Sequence, residues 1–257
     1  MTADSRSALR ARLDAGKPSV GLIVSMPSAH TVQTLARAGF DWVFIDMEHG
    51  PIDIGSLHAM LLATQGTPCT PLVRVPWNVH WLAKPVLDAG AMGVIFPMIR
   101  SAEEARAAAS AVRYPPSGER GFGPFYGALR FGVTMAEYAD PADRELMCVL
   151  LIEHRDAVEC IDDIVQVAGV DVCLIAPFDL AMSYGHRDGP DHPEVQAAIA
   201  RAEHAILASG KHLGGLALDP KAANAMIERG YRLILAGFDV GLLAGASADL
   251  LGRIQRG

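Results

Sequence analysis

The chain has 257 residues, 51% hydrophobic and 20% charged, a balance that suits one compact domain of the roughly 250 residues a parallel α/β barrel needs. Its net charge of -7, with the 22 lysines and arginines scattered, argues against a surface that tracks nucleic-acid phosphates. No uncharged apolar run is long enough to span a bilayer, and the opening MTADSRSALRARLDAG lacks the apolar core of a secretory signal. A cytoplasmic protein with a single domain over residues 1–257 is therefore expected.

Taken in chain order, short β-branched or apolar runs recur, each followed by a helical stretch. Strands are predicted at residues 19–25, 42–46, 71–75, 94–98, 147–152, 172–175, 212–217 and 232–235. Between them lie Ala-, Leu-, Glu- and Arg-rich segments with helical periodicity, such as 101–112 and 194–209. Asp53, Ser101 and Asp219 have the side chains of helix N-caps, and Pro220 suits a first helical turn. Residues 113–145 break the rhythm with many prolines and glycines and read as one long irregular connection. Cys148 and Cys173 fall in strand-like runs and Cys160 in a helix-like one. No CxxC pair occurs, so disulfide and zinc-ribbon readings are weak and a reducing setting fits.

Eight apolar strands alternating with helices predict a parallel sheet covered on both faces. A doubly wound open sheet also alternates, but a count of eight favours closure into a (β/α)₈ TIM barrel. No GxGxxG follows the first strand and no GxxxxGK[ST] occurs, which weakens nucleotide-binding readings.

A barrel of this kind carries its site at the C-terminal ends of its strands. Strand 2 runs into Asp46-Met47-Glu48-His49-Gly50-Pro51, strand 3 carries Arg74, strand 5 ends in Glu153-His154-Arg155, and strand 6 leads to Ala176-Pro177-Phe178-Asp179. Glu153 and Asp179 are candidate hard-metal ligands. Two carboxylates with water and a chelating substrate suit Mg²⁺ or Mn²⁺ better than Zn²⁺. The plainer reading of either carboxylate is a helix cap or a surface salt bridge. Imidazole titrates at roughly pH 6.5, so His49 is a candidate general base. Strand alternation turns the neighbouring His154 away from Glu153. Arg74 can hold a carboxylate or stabilise an enolate oxygen, its plainer role being a salt bridge across the rim. None of the four lysines (Lys17, Lys84, Lys211, Lys221) ends a predicted strand, so a Schiff-base aldolase lacks its nucleophile and a metal must stabilise any carbanion.

The segments FDWVFIDMEHGPID, PLVRVPWN, KPVLDAGAMGVIFPMI, AVRYPPSGERGFG, LLIEHRDAVECIDDI and VDVCLIAPFDLAMSYG resemble, in this order, the HpcH/HpaI aldolase family. The resemblance runs from about Gly21 to the C-terminus. It implies a class II aldolase that reversibly cleaves 4-hydroxy-2-oxo acids to pyruvate, or a related 2-oxo acid, and an aldehyde. By motif position, Glu153 and Asp179 would hold a divalent metal (Mg²⁺, Mn²⁺ or Co²⁺) and His49 would be the base. Asp88 would raise the basicity of His49, Arg74 would stabilise the enolate, and Asp46 would sit beside the metal's waters. Arg74, Leu151, Ala176, Pro177, Phe178 and Leu216 would contact the substrate. The resemblance also implies a homo-hexamer, a trimer of dimers in which the last helix, at 239–253, swaps between neighbours.

Three departures from the family pattern bear on the substrate. Leu151 stands where Gln is usual, Ala176-Pro177-Phe178-Asp179 stands where Gly-Pro-Ala-Asp is usual, and the glycine-rich stretch is aromatic at Phe122, Phe125, Tyr126 and Phe131. Two rival readings remain open. One is a citrate lyase β-subunit-like acyl-CoA lyase, which would need basic residues such as Arg100, Arg106, Arg113 and Arg120 gathered for phosphates. The other is a barrel that binds metal and oxo acid without catalysis.

Overall fold

The computed structural model describes residues 7–255. Residues 1–6, part of the segment read for targeting, and residues 256–257 lie outside them, so both ends of the expected domain do too. Eight parallel strands close in chain order: β1 Ser19–Val24, β2 Trp42–Asp46, β3 Thr70–Arg74, β4 Gly93–Phe96, β5 Met147–Ile152, β6 Val172–Ile175, β7 His212–Leu216 and β8 Leu233–Phe238. β8 pairs back onto β1, which completes the (β/α)₈ barrel. The helices are α1 Ala8–Asp14, α2 Ala29–Ala38, α3 Ile54–Leu62, α4 His80–Asp88, α5 Ala102–Val112, α6 Phe125–Phe131, α7 Met135–Glu145, α8 Arg155–Glu159, α9 Ile161–Ile164, α10 Pro177–Ser183, α11 Pro193–Ser209, α12 Pro220–Glu228 and α13 Asp239–Gly252.

Alternation along the strands builds two apolar layers. Trp42, Phe44, Leu72, Ile95, Val149, Leu151, Leu174 and Leu235 fill the interior, whereas Val43, Ile45, Val73, Cys148 and Ile152 face the helices. Gly21 pairs with Trp42, and a side chain on it would meet the indole at 2.5 Å, so the ring's place in the barrel depends on glycine there. Leu9 and Leu13 of α1 pack fully buried against this interior cluster. That short helix was not visible in the sequence, since seven residues give too little periodicity to read. The strands' C-terminal ends form the opposite, open mouth.

The expected caps are present. Asp53 accepts from the Ser56 N–H at 2.7 Å, Ser101 from Glu104 at 3.2 Å and Asp219 from Ala222 at 2.9 Å. The expectation of one irregular connection over 113–145 is corrected, because that stretch holds α6 and α7. α7 opens with Glu137 accepting from both the N–H and the hydroxyl of Thr134, and it continues through Pro141. Its Tyr138 is fully buried against Phe131 and Tyr114, and a side chain at Gly127 would meet the Tyr138 hydroxyl at 2.8 Å. The glycine that reads as a helix breaker is thus what lets the two helices approach.

α13 differs from the other helices of the wall. Asp239 anchors its start: one carboxylate oxygen accepts from the Ser25 and Met26 N–H groups, the other from the Ser25 hydroxyl. Beyond that anchor Leu242, Leu243, Leu250, Leu251 and Ile254 are all exposed. No helix among the described residues is long and apolar enough to cross a membrane.

Candidate active site

β2 and β3 are in register so that Asp46 lies beside Arg74, both pointing inward at the mouth. Arg74 donates through Nε to Asp46 Oδ1 at 2.9 Å and through Nη2 to Oδ2 at 2.6 Å, a bidentate fork. Its Nη1 lies 2.9 Å from Glu48 Oε2 but off the hydrogen-bond axis, so this third contact is ionic only. The guanidinium rests 5.2 Å above the Phe44 ring. Five donor hydrogens minus the two in the fork leave Arg74 able to bind an incoming oxygen.

Asp46 also accepts from the N–H groups of Glu48 at 3.0 Å and His49 at 3.2 Å, which fixes the turn after β2. Gly50 is obligatory there, because a side chain would crowd the backbone carbonyls of Asp46 and Ser25. The turn delivers His49 outward, its side chain two-thirds exposed with Nε2 3.9 Å from Glu48 Oε2. Burial disfavours the Asp46 anion, but the hydrogen bonds and charge of Arg74 and the two backbone N–H groups outweigh it and hold the carboxyl below its ordinary value. Glu48 goes the other way: burial and the nearby carboxylates of Asp46 and Asp179 raise it against the pull of Arg74 and His49.

Glu153 follows β5 and is almost fully buried. Its Oε1 accepts from the Met98 N–H at 2.6 Å. Met98 has a left-handed backbone with φ 55°, rare for a side chain of its kind, and that conformation turns the N–H toward the carboxylate. Burial first, then the charges of Asp179 and Glu48, push Glu153 up to about 7. Asp179 occupies the first turn of α10. A buried carboxylate facing two further carboxylates, with one guanidinium forked on Asp46 and in ionic contact with Glu48, is an under-compensated negative site. It fits a hard divalent cation, which prefers oxygen ligands.

Other expected residues fall as follows. Ala176 precedes α10 and Pro177 opens it, while Phe178 is exposed to solvent. Leu216 ends β7, partly buried against the interior cluster, and Leu151 is 1% exposed within that cluster, below Glu153. Asp88, expected beside His49, is not brought there within the chain. It ends α4 on the outer side of the strand wall, just before β4 begins, whereas His49 sits past the C-terminal end of β2. Its partner is the fully buried Arg120, which donates to Oδ1 at 2.8 Å and lies between the rings of Tyr114 and Tyr138. Burial raises the Asp88 carboxyl against the opposing Arg120 and Lys84 charges. A cavity of about 630 Å³ opens beside it, lined by His58, Lys84, Phe122, Phe125 and Tyr126.

Sequence reasoning did not assign Glu48, Met98 or Arg120 to the site. Glu48 stood in the acidic cluster and Arg120 in the quoted GERGFG segment, so both could have been found. Met98 acts through a backbone angle that no residue type announces. Three of the four arginines considered for acyl-CoA phosphates have carboxylate partners instead: Arg106 with Glu103, Arg113 with Asp171 and Arg120 with Asp88.

A parallel barrel with carboxylates, a forked arginine and a histidine at its C-terminal mouth is equipped for chemistry on a small oxo acid. The family model described as HpcH/HpaI aldolase/citrate lyase matches residues 19–246, and the chain belongs to that family. It is accordingly a carbon–carbon lyase of the aldolase type. It is 37% identical over 246 residues to a hydroxypyruvate/pyruvate aldolase of Pseudomonas aeruginosa, covering 96% of this chain and 92% of the relative. To a 4-hydroxy-2-oxo-heptane-1,7-dioate aldolase of Escherichia coli it is 37% identical over 247 residues, covering 96% and 94%. The crystal structure of an HpcH/HpaI aldolase/citrate lyase family protein from Burkholderia cenocepacia superposes with a TM-score of 0.89 at 35% identity, covering 96% of this chain and 98% of that one.

Proposed function

We propose that the chain, as one catalytic domain, reversibly cleaves 4-hydroxy-2-oxo acids to pyruvate, or a close 2-oxo acid, and an aldehyde. The observation that carries this reading is the charge arrangement at the mouth: Arg74 locked on Asp46 beside the under-compensated pair Glu153 and Asp179. The names of the bacterial relatives support a pyruvate-type donor. Glu153 and Asp179 would hold Mg²⁺, Mn²⁺ or Co²⁺. Such an ion, when bound, polarises the 2-oxo group and stabilises negative charge on its oxygen.

The chain's own residues supply the rest. His49 takes the proton from the C4 hydroxyl as the C3–C4 bond breaks and the aldehyde departs. The electron pair moves onto the 2-oxo oxygen as an enolate, and free Arg74 hydrogens face that charge. Return of a proton to C3 gives the 2-oxo acid. Asp46 positions both participants, because its carboxylate holds the Arg74 fork and the His49 backbone at once. Ala176, Pro177 and Leu216 would border the acid's carboxylate and chain, and Leu151 and Phe178 would make this border less polar.

Asp88 would reach a histidine only from another copy, since α4 carries it away from its own mouth. This favours a homo-oligomer, with a hexamer of paired barrels as the proposed form, and α13 as its exchanged or docked element. A cytoplasmic location is part of the same reading. The test is retro-aldol cleavage across a panel of 4-hydroxy-2-oxo acids, with the 2-oxo acid product detected by a coupled reaction. Cleavage should vanish with chelator and return with Mg²⁺, Mn²⁺ or Co²⁺. Full activity in a metal-free preparation contradicts the class II reading.

A further inference from the structure

At the rim of the same barrel face, the loop from α10 to α11 gathers donors that the aldol chemistry does not use. His186, His192 and Glu194 each place one ligand atom within 4.8 Å of the others. His186 Nε2 is 2.8 Å from Glu194 Oε2, and the two imidazoles stack with centroids 3.5 Å apart and planes 16° from parallel. The loop is braced from both sides. The His186 N–H donates to Ala181 O at 2.9 Å, and Gln196 Nε2 donates to Pro190 O at 2.9 Å. The contact between His186 and Glu194 needs no second imidazole, yet the His192 ring, which caps α11 through Nδ1, also stacks on His186 and brings a third donor to the cluster.

We propose that His186, His192 and Glu194 form a second cation site, of the zinc type, separate from the oxygen-ligand pair at Glu153 and Asp179. Two imidazoles and one carboxylate are a borderline-soft donor set that favours Zn²⁺ over Mg²⁺, with water completing a tetrahedron. Neutral imidazole is the ligating form. Coordination costs little local structure. His192 Nδ1 now accepts from the Glu194 N–H at a long 3.3 Å, and binding exchanges that bond and turns one ring so that the lone pairs converge. The bound ion would tie the start of α11 to the end of α10, the helix that carries Asp179.

The experiment titrates the full chain with ZnCl₂ in saturating Mg²⁺, with bound zinc counted by equilibrium dialysis and metal analysis. Glu153→Ala should take up one zinc per chain and wild type at least one, because the carboxylate pair can itself exchange Mg²⁺ for zinc. His186→Ala should weaken that uptake by about tenfold or more, as should His192→Asn, which keeps an N-cap acceptor for α11 while removing the imidazole. Far-ultraviolet circular dichroism checks that both variants stay folded. Unchanged zinc uptake in His186→Ala and His192→Asn overturns the proposal. So does zinc uptake that Glu153→Ala abolishes, since the ion would then sit only at the carboxylate pair.

Discussion

Arg74 is held by geometry that lysine cannot copy. An ammonium in its place keeps the charge but loses the fork on Asp46 and the planar face over Phe44. Arg74→Lys should lower kcat by about 10²–10³, the usual cost of a misplaced donor at a developing oxyanion. Steady-state kinetics at saturating metal will show it, and wild-type turnover would mean the fork is dispensable. Glu153 makes a prediction about pH. Its carboxyl is raised to about 7 in the metal-free fold, above the 4.5 of a free glutamate, so between these values the folded chain holds a proton that the unfolded chain releases. The metal-free protein should therefore lose stability as pH rises from 4.5 through 7, by on the order of 3 kcal/mol from this group. Thermal melts of chelated protein at pH 5 and pH 8 test this: Glu153→Gln should flatten the difference, and an equally steep slope in the variant would reject it. At this scale the sequence pointed to side chains that the fold does gather at the mouth, Asp46, Arg74 and Glu153. It was silent where a backbone angle does the work, as at Met98, and where a charge is neutralised far along the chain, as at Asp88.

Among the elements, the eight strands could be read to within about one to three residues because a sheet covered on both faces makes most of them continuous apolar runs, as in β2 to β6. The region 113–145 could not, since its glycines and prolines carry two meanings. At Gly127 the missing side chain admits Tyr138, and Pro141 sits inside α7 without ending it. This region contains the Arg120 cage, a buried guanidinium between Tyr114 and Tyr138 with Asp88 as its anion. Arg120→Ala should cost about 3–5 kcal/mol, because it leaves Asp88 half-buried without its partner and empties the space between the rings. Urea unfolding measures this, and an unchanged midpoint would show that the cage carries no stability.

For the molecule as a whole, α13 presents Leu242, Leu243, Leu250 and Leu251 to solvent while its first residue is tied to the chain after β1. Several exposed leucines along one helix are what the proposed oligomer would cover. Light scattering should find the wild type oligomeric and Leu243→Asp/Leu250→Asp dissociated, with Asp88 then unable to serve a neighbouring mouth. An oligomer unaffected by both charges would place the interface elsewhere. The central claim, that the mouth makes an enolate from a 2-oxo acid with a divalent metal, is most directly tested without any aldehyde. Exchange of pyruvate methyl protons in D₂O, followed by NMR, should require Mg²⁺ or Mn²⁺ and stop with chelator. It should fall by about 10²–10⁴-fold in His49→Ala. Exchange at the full rate in chelated protein, or none in the metal-loaded wild type, would contradict the account.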